Sequence, residues 1–104
     1  PGVVVIAPCT FNTLNKLAAG ITDNLALSIA AQAIGRRAPL IVAIAVNAAL
    51  WAHPRAQESA ATLRKWGCTM LDPVATDGTL TMASPETIAA AVRRAWSRLA
   101  RESA

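Results

Sequence analysis

Two short segments carry polar side chains of the kind that bind small anionic or polar molecules. Residues 8–13 read Pro-Cys-Thr-Phe-Asn-Thr, and residues 44–51 are apolar apart from Asn47 and the indole of Trp51. Hydroxyl and amide groups in the first segment stand where a helix would begin, and the free backbone N–H groups there attract anions. The Asn47 amide can donate to a carboxylate. Helix capping or a turn is the simpler role for these side chains, as core packing is for Trp51.

The elements that would position these segments alternate between strand and helix. Buried strands are predicted at residues 3–7, ending before Pro8, at residues 40–46 and at residues 68–71. Predicted helices run from the first segment to Gly20, from a cap at Thr22 or Asp23 to Gly35, from Pro54 to about Trp66 and from Pro85 to about Ala100, with residues 72–84 as a loop. This order predicts an α/β fold with a parallel sheet covered on both faces. Ligands of such folds bind at the carboxyl ends of strands, where both polar segments would lie.

Length and composition exclude several classes of protein. The chain has 104 residues, 54% of them hydrophobic and 15% charged, which allows one domain and excludes intrinsic disorder. The longest apolar stretch, residues 39–52, is shorter than the roughly 20 residues that a membrane span requires. So much apolar surface in so short a chain predicts an oligomer or part of a larger unit.

Cysteine and arginine positions argue against a metal centre and a nucleic-acid site. Cys9 and Cys68 match no metal motif and form no disulfide framework, which predicts free thiols in a reducing cytoplasm. The net charge is +4, and four arginines lie in the last predicted helix: Arg93, Arg94, Arg98 and Arg101. A solvent-exposed helix face is the preferred interpretation of these arginines. A basic nucleic-acid-binding domain is the weaker one, and it would bind with a steep dependence on salt.

The two polar segments together resemble the paired motifs of the homo-oligomeric flavin-containing cysteine decarboxylases. This family includes phosphopantothenoylcysteine decarboxylases and peptidyl-cysteine decarboxylases. Its motif P-A-S-A-N-T is similar to residues 8–13, where Pro, Asn and Thr agree, and its motif P-x-M-N-x-x-M-W is similar to residues 44–51, where Asn47 and Trp51 agree. Between them, residues 16–25 resemble the family's K-x-A-x-G-x-x-D-N-L stretch.

The resemblance implies a flavodoxin-like, Rossmann-like three-layer sandwich. Residues 1–104 would form the C-terminal portion of one flavoprotein domain. FMN would be lined by Thr10, Phe11, Asn12 and Thr13, with Ala45 approaching it through its backbone. Asn47 would hold the carboxylate of a C-terminal cysteine, in a peptide or a phosphopantothenoyl compound, whose oxidative decarboxylation gives an enethiol. The family's oligomers imply a trimer, or a multiple of trimers, with FMN at subunit boundaries.

Two departures from the family pattern leave a second function open. The family's catalytic histidine precedes the position of Pro1, and His53, which follows the second motif, is predicted to be an exposed turn residue. The reducing cysteine of the coenzyme-pathway members has no counterpart in residues 74–83. Its absence favours oxidative decarboxylation without a final reduction. The alternative is a flavin-binding protein without catalysis that acts by interaction or regulation.

Overall fold

A three-stranded parallel sheet organises the computed structural model, which describes residues 2–103. The strands are β1 (Val4–Cys9), β2 (Leu40–Ile44) and β3 (Thr69–Leu71), in the spatial order β1-β2-β3. All five residues of β2 are buried, as expected for a central strand with both faces covered. The predicted α/β class with a parallel sheet is confirmed, and the fold is flavodoxin-like.

The first strand is longer than the sequence pattern predicts. It was expected to end before Pro8, but it continues through Pro8 to Cys9, and Cys9 pairs with Ile44 after a shift in register. The prediction was wrong because, within residues 2–103, β1 lies at the edge of the sheet and pairs only with β2. A proline can occupy an edge position where its missing N–H is not needed for the ladder.

Five helices surround the sheet in the described part of the chain. They are α1 (Phe11–Ala19), α2 (Leu25–Gly35), α3 (Ala48–Ala52), α4 (Pro54–Lys65) and α5 (Pro85–Ser103). The cap predicted for α2 at Thr22 or Asp23 is wrong, because Asn24 Oδ1 accepts the Leu27 N–H at 2.8 Å. Asp23 instead accepts a 2.7 Å hydrogen bond from Lys16 Nζ, which ties the end of α1 to the start of α2.

The helices cover the two faces of the sheet unequally. Helices α1, α2 and α4 pack against Val42 and its neighbours on one face, in a cluster of leucine and alanine side chains. On the other face, α5 packs Ala91 and Ala95 against Ile41. Val5, which pairs with Ile41 in register, remains 39% exposed. Both faces are covered over β2, as predicted, but α5 leaves the β1 side of its face open.

A hairpin occupies part of the segment predicted as a loop. Strands β4 (Val74–Thr76) and β5 (Thr79–Thr81) pair antiparallel within residues 72–84. Asp77 and Gly78 form the turn, with φ angles of 49° and 77°. The Asp-Gly pair between short runs of β-formers is a strong hairpin signal, so the loop prediction overlooked information present in the sequence.

No helix within residues 2–103 combines the length and apolar character needed to cross a bilayer.

Candidate functional site

The two polar segments lie side by side at the carboxyl ends of β1 and β2. The pairing of Cys9 with Ile44 continues into a hydrogen bond of 2.9 Å from the Ala45 N–H to the Cys9 carbonyl oxygen. Residues 10–13 and 45–47 therefore leave the same edge of the sheet from adjacent strands. The sequence-based expectation that they meet at this edge is fulfilled in the structure.

The first segment presents polar groups at the start of α1 and anchors them with one aromatic ring. Thr10 is the N-cap, since its Oγ1 accepts the Thr13 N–H at 3.3 Å and donates to Thr13 Oγ1 at 3.2 Å. Asn12 lies exposed in the first turn. Phe11 packs against the core, and its ring meets the His53 ring edge-on, with centroids 5.3 Å apart. The hydroxyl and amide groups thus stand on a firmly held helix end.

Asn47 uses only half of its side chain to support the fold. Its Oδ1 accepts the Leu50 N–H at 2.8 Å and its carbonyl oxygen accepts the Trp51 N–H at 2.9 Å, so it caps the short helix α3. With Oδ1 occupied, the Nδ2 amino group is left with two donors that meet no acceptor among residues 2–103. Asn47 is exposed, so these donors can reach a ligand. Capping and carboxylate binding are therefore compatible.

The backbone of Ala45 is only partly available to a ligand. Its N–H is committed to the Cys9 carbonyl, so an approach through the backbone is restricted to its carbonyl oxygen and Cα. Ala45 is half-buried, which leaves room for such an approach. Trp51 packs against the core cluster, consistent with the structural role weighed for it in the sequence.

The hairpin forms one wall of a groove beside Asn47. The groove has a volume of about 450 Å³. One wall is the second polar segment, from Ala45 to Ala48, and the other is formed by residues of the hairpin and its exit: Gly78, Thr79, Leu80 and Met82. This wall was not predicted from the sequence, because residues 72–84 were interpreted as a loop. The Asp-Gly turn signal could have revealed it.

Burial keeps the cysteine of the first segment out of thiolate chemistry. Cys9 is fully buried, and this burial raises the pKa of its thiol to about 12. Cys68, which precedes β3 at the opposite edge of the sheet, also has its pKa raised by burial. Neither is in a disulfide. Among residues 2–103, no group of three or more histidine, cysteine or acidic side chains is placed to hold a metal ion.

Comparison with known proteins places this arrangement in a family. The profile of the family described as Flavoprotein matches residues 2–97. The chain belongs to the Flavoprotein family. The resemblance to flavin-containing cysteine decarboxylases is confirmed by its relatives. One is a probable phosphopantothenoylcysteine decarboxylase of Arabidopsis thaliana, 35% identical over an alignment of 106 positions that covers 96% of this chain and 52% of the relative.

Solved structures of relatives share the fold closely. A phosphopantothenoylcysteine (PPC) decarboxylase mutant complexed with pantothenoylaminoethenethiol is 36% identical, with a TM-score of 0.80 over 91% of this chain and 55% of that one. The FMN-binding protein AtHal3 is 34% identical, with a TM-score of 0.79 over 92% of this chain and 55% of that one. The chain therefore spans about half the length of each of these three relatives. The roles of its individual site residues stay predictions.

The buried Cys9 thiol should make the folded protein less stable at high pH. The unfolded thiol ionises near its ordinary pKa, whereas the folded thiol stays protonated up to about pH 12, so the unfolded state releases its proton first. Ionisation of Cys9 should leave the free energy of unfolding unchanged below about pH 8 and should lower it as the pH rises from there towards 12. In a series of melting temperatures from pH 7 to 10, Cys9→Ala should show a shallower decline than the wild type. An unchanged slope would show that Cys9 does not titrate this way.

His53 should contribute separately to the α4 cap and to the Phe11 contact. Its Nδ1 accepts the Arg55 N–H at 2.9 Å, while its ring edge meets Phe11. His53→Asn can keep a capping acceptor without the ring, and His53→Phe can keep the ring without the acceptor. We expect thermal unfolding to show a loss of about 1 kcal/mol for His53→Phe and a smaller loss for His53→Asn. Equal losses would mean that the cap is not the larger contribution.

Proposed function

We propose that this chain forms part of an FMN-dependent enzyme that decarboxylates a C-terminal cysteine to an enethiol. The observation that carries the proposal is the junction at Ala45 and Cys9. It sets the polar start of α1 beside an asparagine with two unused donors. The relatives support the reaction class, since one is described as a PPC decarboxylase mutant and another as an FMN-binding protein. Because the chain spans about half their length, the activity belongs to the complete protein.

The donor set at the first segment fits a flavin cofactor. Threonine hydroxyls and the Asn12 amide suit the polar edge of an isoalloxazine ring or its ribityl chain, and Phe11 offers an apolar flank. We assign Thr10, Phe11, Asn12 and Thr13 to FMN contact. The Ala45 carbonyl would approach from the neighbouring strand end. Bound FMN would supply a two-electron acceptor, which no side chain here can replace.

Asn47 would hold the substrate by its carboxylate. Its Nδ2 donors are exposed beside the hairpin groove, and a carboxylate accepts two such hydrogen bonds well. The amide is neutral, so it would orient the carboxylate without stabilising its charge as strongly as arginine would. A neutral partner leaves the departing CO₂ less tightly bound than an ion pair would. Position, rather than charge, is the proposed contribution of this residue.

The hairpin favours an enethiol as the final product. It stands over Asn47, where the reducing cysteine of the coenzyme-pathway members would be expected, and residues 74–83 contain no cysteine. Cys68 lies before β3, at the other edge of the sheet, and does not substitute for it. We therefore infer oxidative decarboxylation without a following reduction. A peptide and a phosphopantothenoyl compound with a C-terminal cysteine both remain candidate substrates.

The second candidate is a flavin-binding protein without catalysis. It is favoured because the only histidine in this sequence, His53, has a structural role. His53 caps α4 through Nδ1 and packs against Phe11, so its Nδ1 is not free to act as a base. The catalytic histidine that the family resemblance implies would precede the position of Pro1. Release of CO₂ from a cysteine-terminated substrate by the complete, flavin-loaded protein separates the two candidates.

Exposed apolar surface supports assembly with further protein. Leu25 and Ile29 are 76% and 44% exposed, and their i, i+4 spacing places them on one side of α2. Ile21, in the segment before α2, is 42% exposed. The outer edge of β1 has no partner strand among residues 2–103, and Val5 beside it is half-exposed. We propose that residues 1–104 are the C-terminal portion of one flavoprotein domain and that the complete protein is a homotrimer or a multiple of trimers. The two free cysteines support a reducing compartment such as the cytoplasm.

Replacing Asn47 by aspartate should abolish turnover while preserving the fold. The new carboxylate could still accept the Leu50 N–H, because aspartate is as good an N-cap as asparagine. The variant would lose both Nδ2 donors and repel the substrate carboxylate. We expect kcat/KM for CO₂ release to fall by at least ~100-fold, as for several kcal/mol of lost interaction. Melting temperature and bound flavin should stay near wild-type values.

Asn24→Asp is the matched control for this substitution. Asn24 caps α2 with the same geometry, its Oδ1 accepting the Leu27 N–H at 2.8 Å. It should therefore report any general effect of exchanging a capping asparagine. Normal turnover by a folded, flavin-loaded Asn47→Asp variant would remove Asn47 from the reaction and leave it with the capping role alone.

A charge placed on the exposed side of α2 should disrupt the oligomer. Leu25→Glu would bury a carboxylate if this side packs against another subunit, at a cost that weakens the interface. Light scattering on the complete protein should give a threefold multiple of the subunit mass for the wild type and a smaller mass for Leu25→Glu. Val74→Glu, on the hairpin, should keep the wild-type mass. Wild-type protein that is only dimeric, or a Leu25→Glu variant of unchanged mass, would contradict the proposal.

A further inference from the structure

A second groove opens at the amino ends of the strands, opposite the Asn47 edge. Its lining includes Ala38 and Pro39, which precede β2, and Gly67 and Cys68, which precede β3. We call it the basal groove, and its volume is about 720 Å³. The five residues of strand β2 lie between this groove and Asn47, and each residue of a strand spans about 3.3 Å. The basal groove therefore has no part in the site described above.

The lining of the basal groove is strongly basic. It contains Arg37, Lys65 and Arg98 against a single carboxylate, Glu102. The ion pairs found in residues 2–103 are Lys16–Asp23, Arg55–Glu58 and Arg64–Asp72. None of the three groove cations is thus neutralised by a carboxylate in the described chain. A neighbouring groove along α5 shares Arg98 and adds further arginines, which extends the positive surface.

One aromatic side chain stands among these cations. Trp66 is 48% exposed, although a tryptophan of a folded chain is usually largely buried. Its indole offers a flat apolar surface for stacking next to groups that bind phosphate. The volume lies within the range of small-molecule sites. The combination of a ring-stacking surface and several unpaired cations is the chemistry that recognises nucleotides.

The backbone at Arg37 gives independent support for a role of its side chain. Arg37 has φ of 59°, in the left-handed region just after α2, where glycine is favoured. A side chain kept at such a position costs stability and suggests a function for it. Gly67, at the matching point after α4, has φ of 95° and follows the common pattern.

We propose that the basal groove binds a nucleotide, with its base on Trp66 and its phosphates on Arg37, Lys65 and Arg98. A single-stranded nucleic acid offers the same chemistry. The free nucleotide is favoured because only one exposed ring lines the groove, rather than a row of them. The competing structural role is to balance the dipoles of α2, α4 and α5, whose C-terminal ends meet here. If this structural role is the whole function of the groove cations, their substitution changes stability and no ligand binds.

Calorimetric titration of the full-length protein with ADP in magnesium-free buffer tests the proposal. We expect saturable binding, weakened about tenfold by Arg98→Gln and by Lys65→Gln. Arg36→Gln is the matched control, because Arg36 carries the same charge next to Arg37 but does not line the groove. Trp66→Leu should weaken ADP binding and leave binding of inorganic pyrophosphate unchanged. Absorbance of bound flavin should not change during the titration.

Arg37→Gly gives a second variant whose folding is not at risk. Glycine relieves the left-handed backbone, so the melting temperature should stay level or rise while ADP affinity falls by several-fold. The proposal is overturned if ADP shows no saturable binding up to about 1 mM, if Arg98→Gln behaves like Arg36→Gln, or if ADP displaces the flavin. Binding of a uridine oligonucleotide without binding of ADP would assign the groove to nucleic acid and would also overturn it. Because the groove and the flavin site lie at opposite edges, failure of one leaves the other standing.

Discussion

The parallel pairing of β1 with β2 is the constraint on which the candidate site depends. It brings the Cys9 carbonyl to the Ala45 N–H at 2.9 Å, so two segments separated by more than thirty residues leave the sheet together. The full burial of β2 fixes this register, because Val42 packs in one helical layer and Ile41 in the other, and a slip of one residue would exchange the side chains between the two layers. The hydroxyl groups of the first segment and the amide of Asn47 have no other reason to be neighbours.

The side chains proposed to bind ligands at this edge also cap helices. Thr10 and Asn47 each use an oxygen to cap a helix. Asn47 keeps both Nδ2 donors, whereas the Thr10 hydroxyl donates its proton to Thr13 Oγ1. The caps hold the side chains in fixed rotamers, so the remaining donors are oriented before a ligand arrives. His53 serves in the same way, with Nδ1 on the α4 backbone and its ring edge on Phe11. The polar character of the segments is thus a structural property, and the proposed function gives the same side chains a second role.

Much of the sheet and of the site could be predicted from the sequence, and the misses have local causes. The buried runs of β-branched residues indicated the strands, and Pro54 and Gly20 marked helix ends where the structure has them. Pro8 led to a wrong end for β1, because the position of a strand in the sheet depends on the strand order, which the local sequence pattern does not contain. Asn24 caps α2, while Asp23 pairs with Lys16, seven residues earlier in the chain, a contact that the local cap pattern does not contain. The hairpin wall of the groove beside Asn47 was missed although Asp77-Gly78 signalled it, and the basal groove needs separate parts of the chain to be brought together.

The central claim is that the first segment and Asn47 form one site. The most direct measurement is a titration of the flavin-loaded, full-length protein with an unreactive ligand that ends in a carboxylate, followed through the visible absorbance band of the flavin. A ligand held by Asn47 would lie against a flavin held by Thr10 to Thr13, so the account predicts a saturable shift of this band. If calorimetry shows that the ligand binds while the flavin band stays unchanged, the two segments do not share a site and the account is wrong.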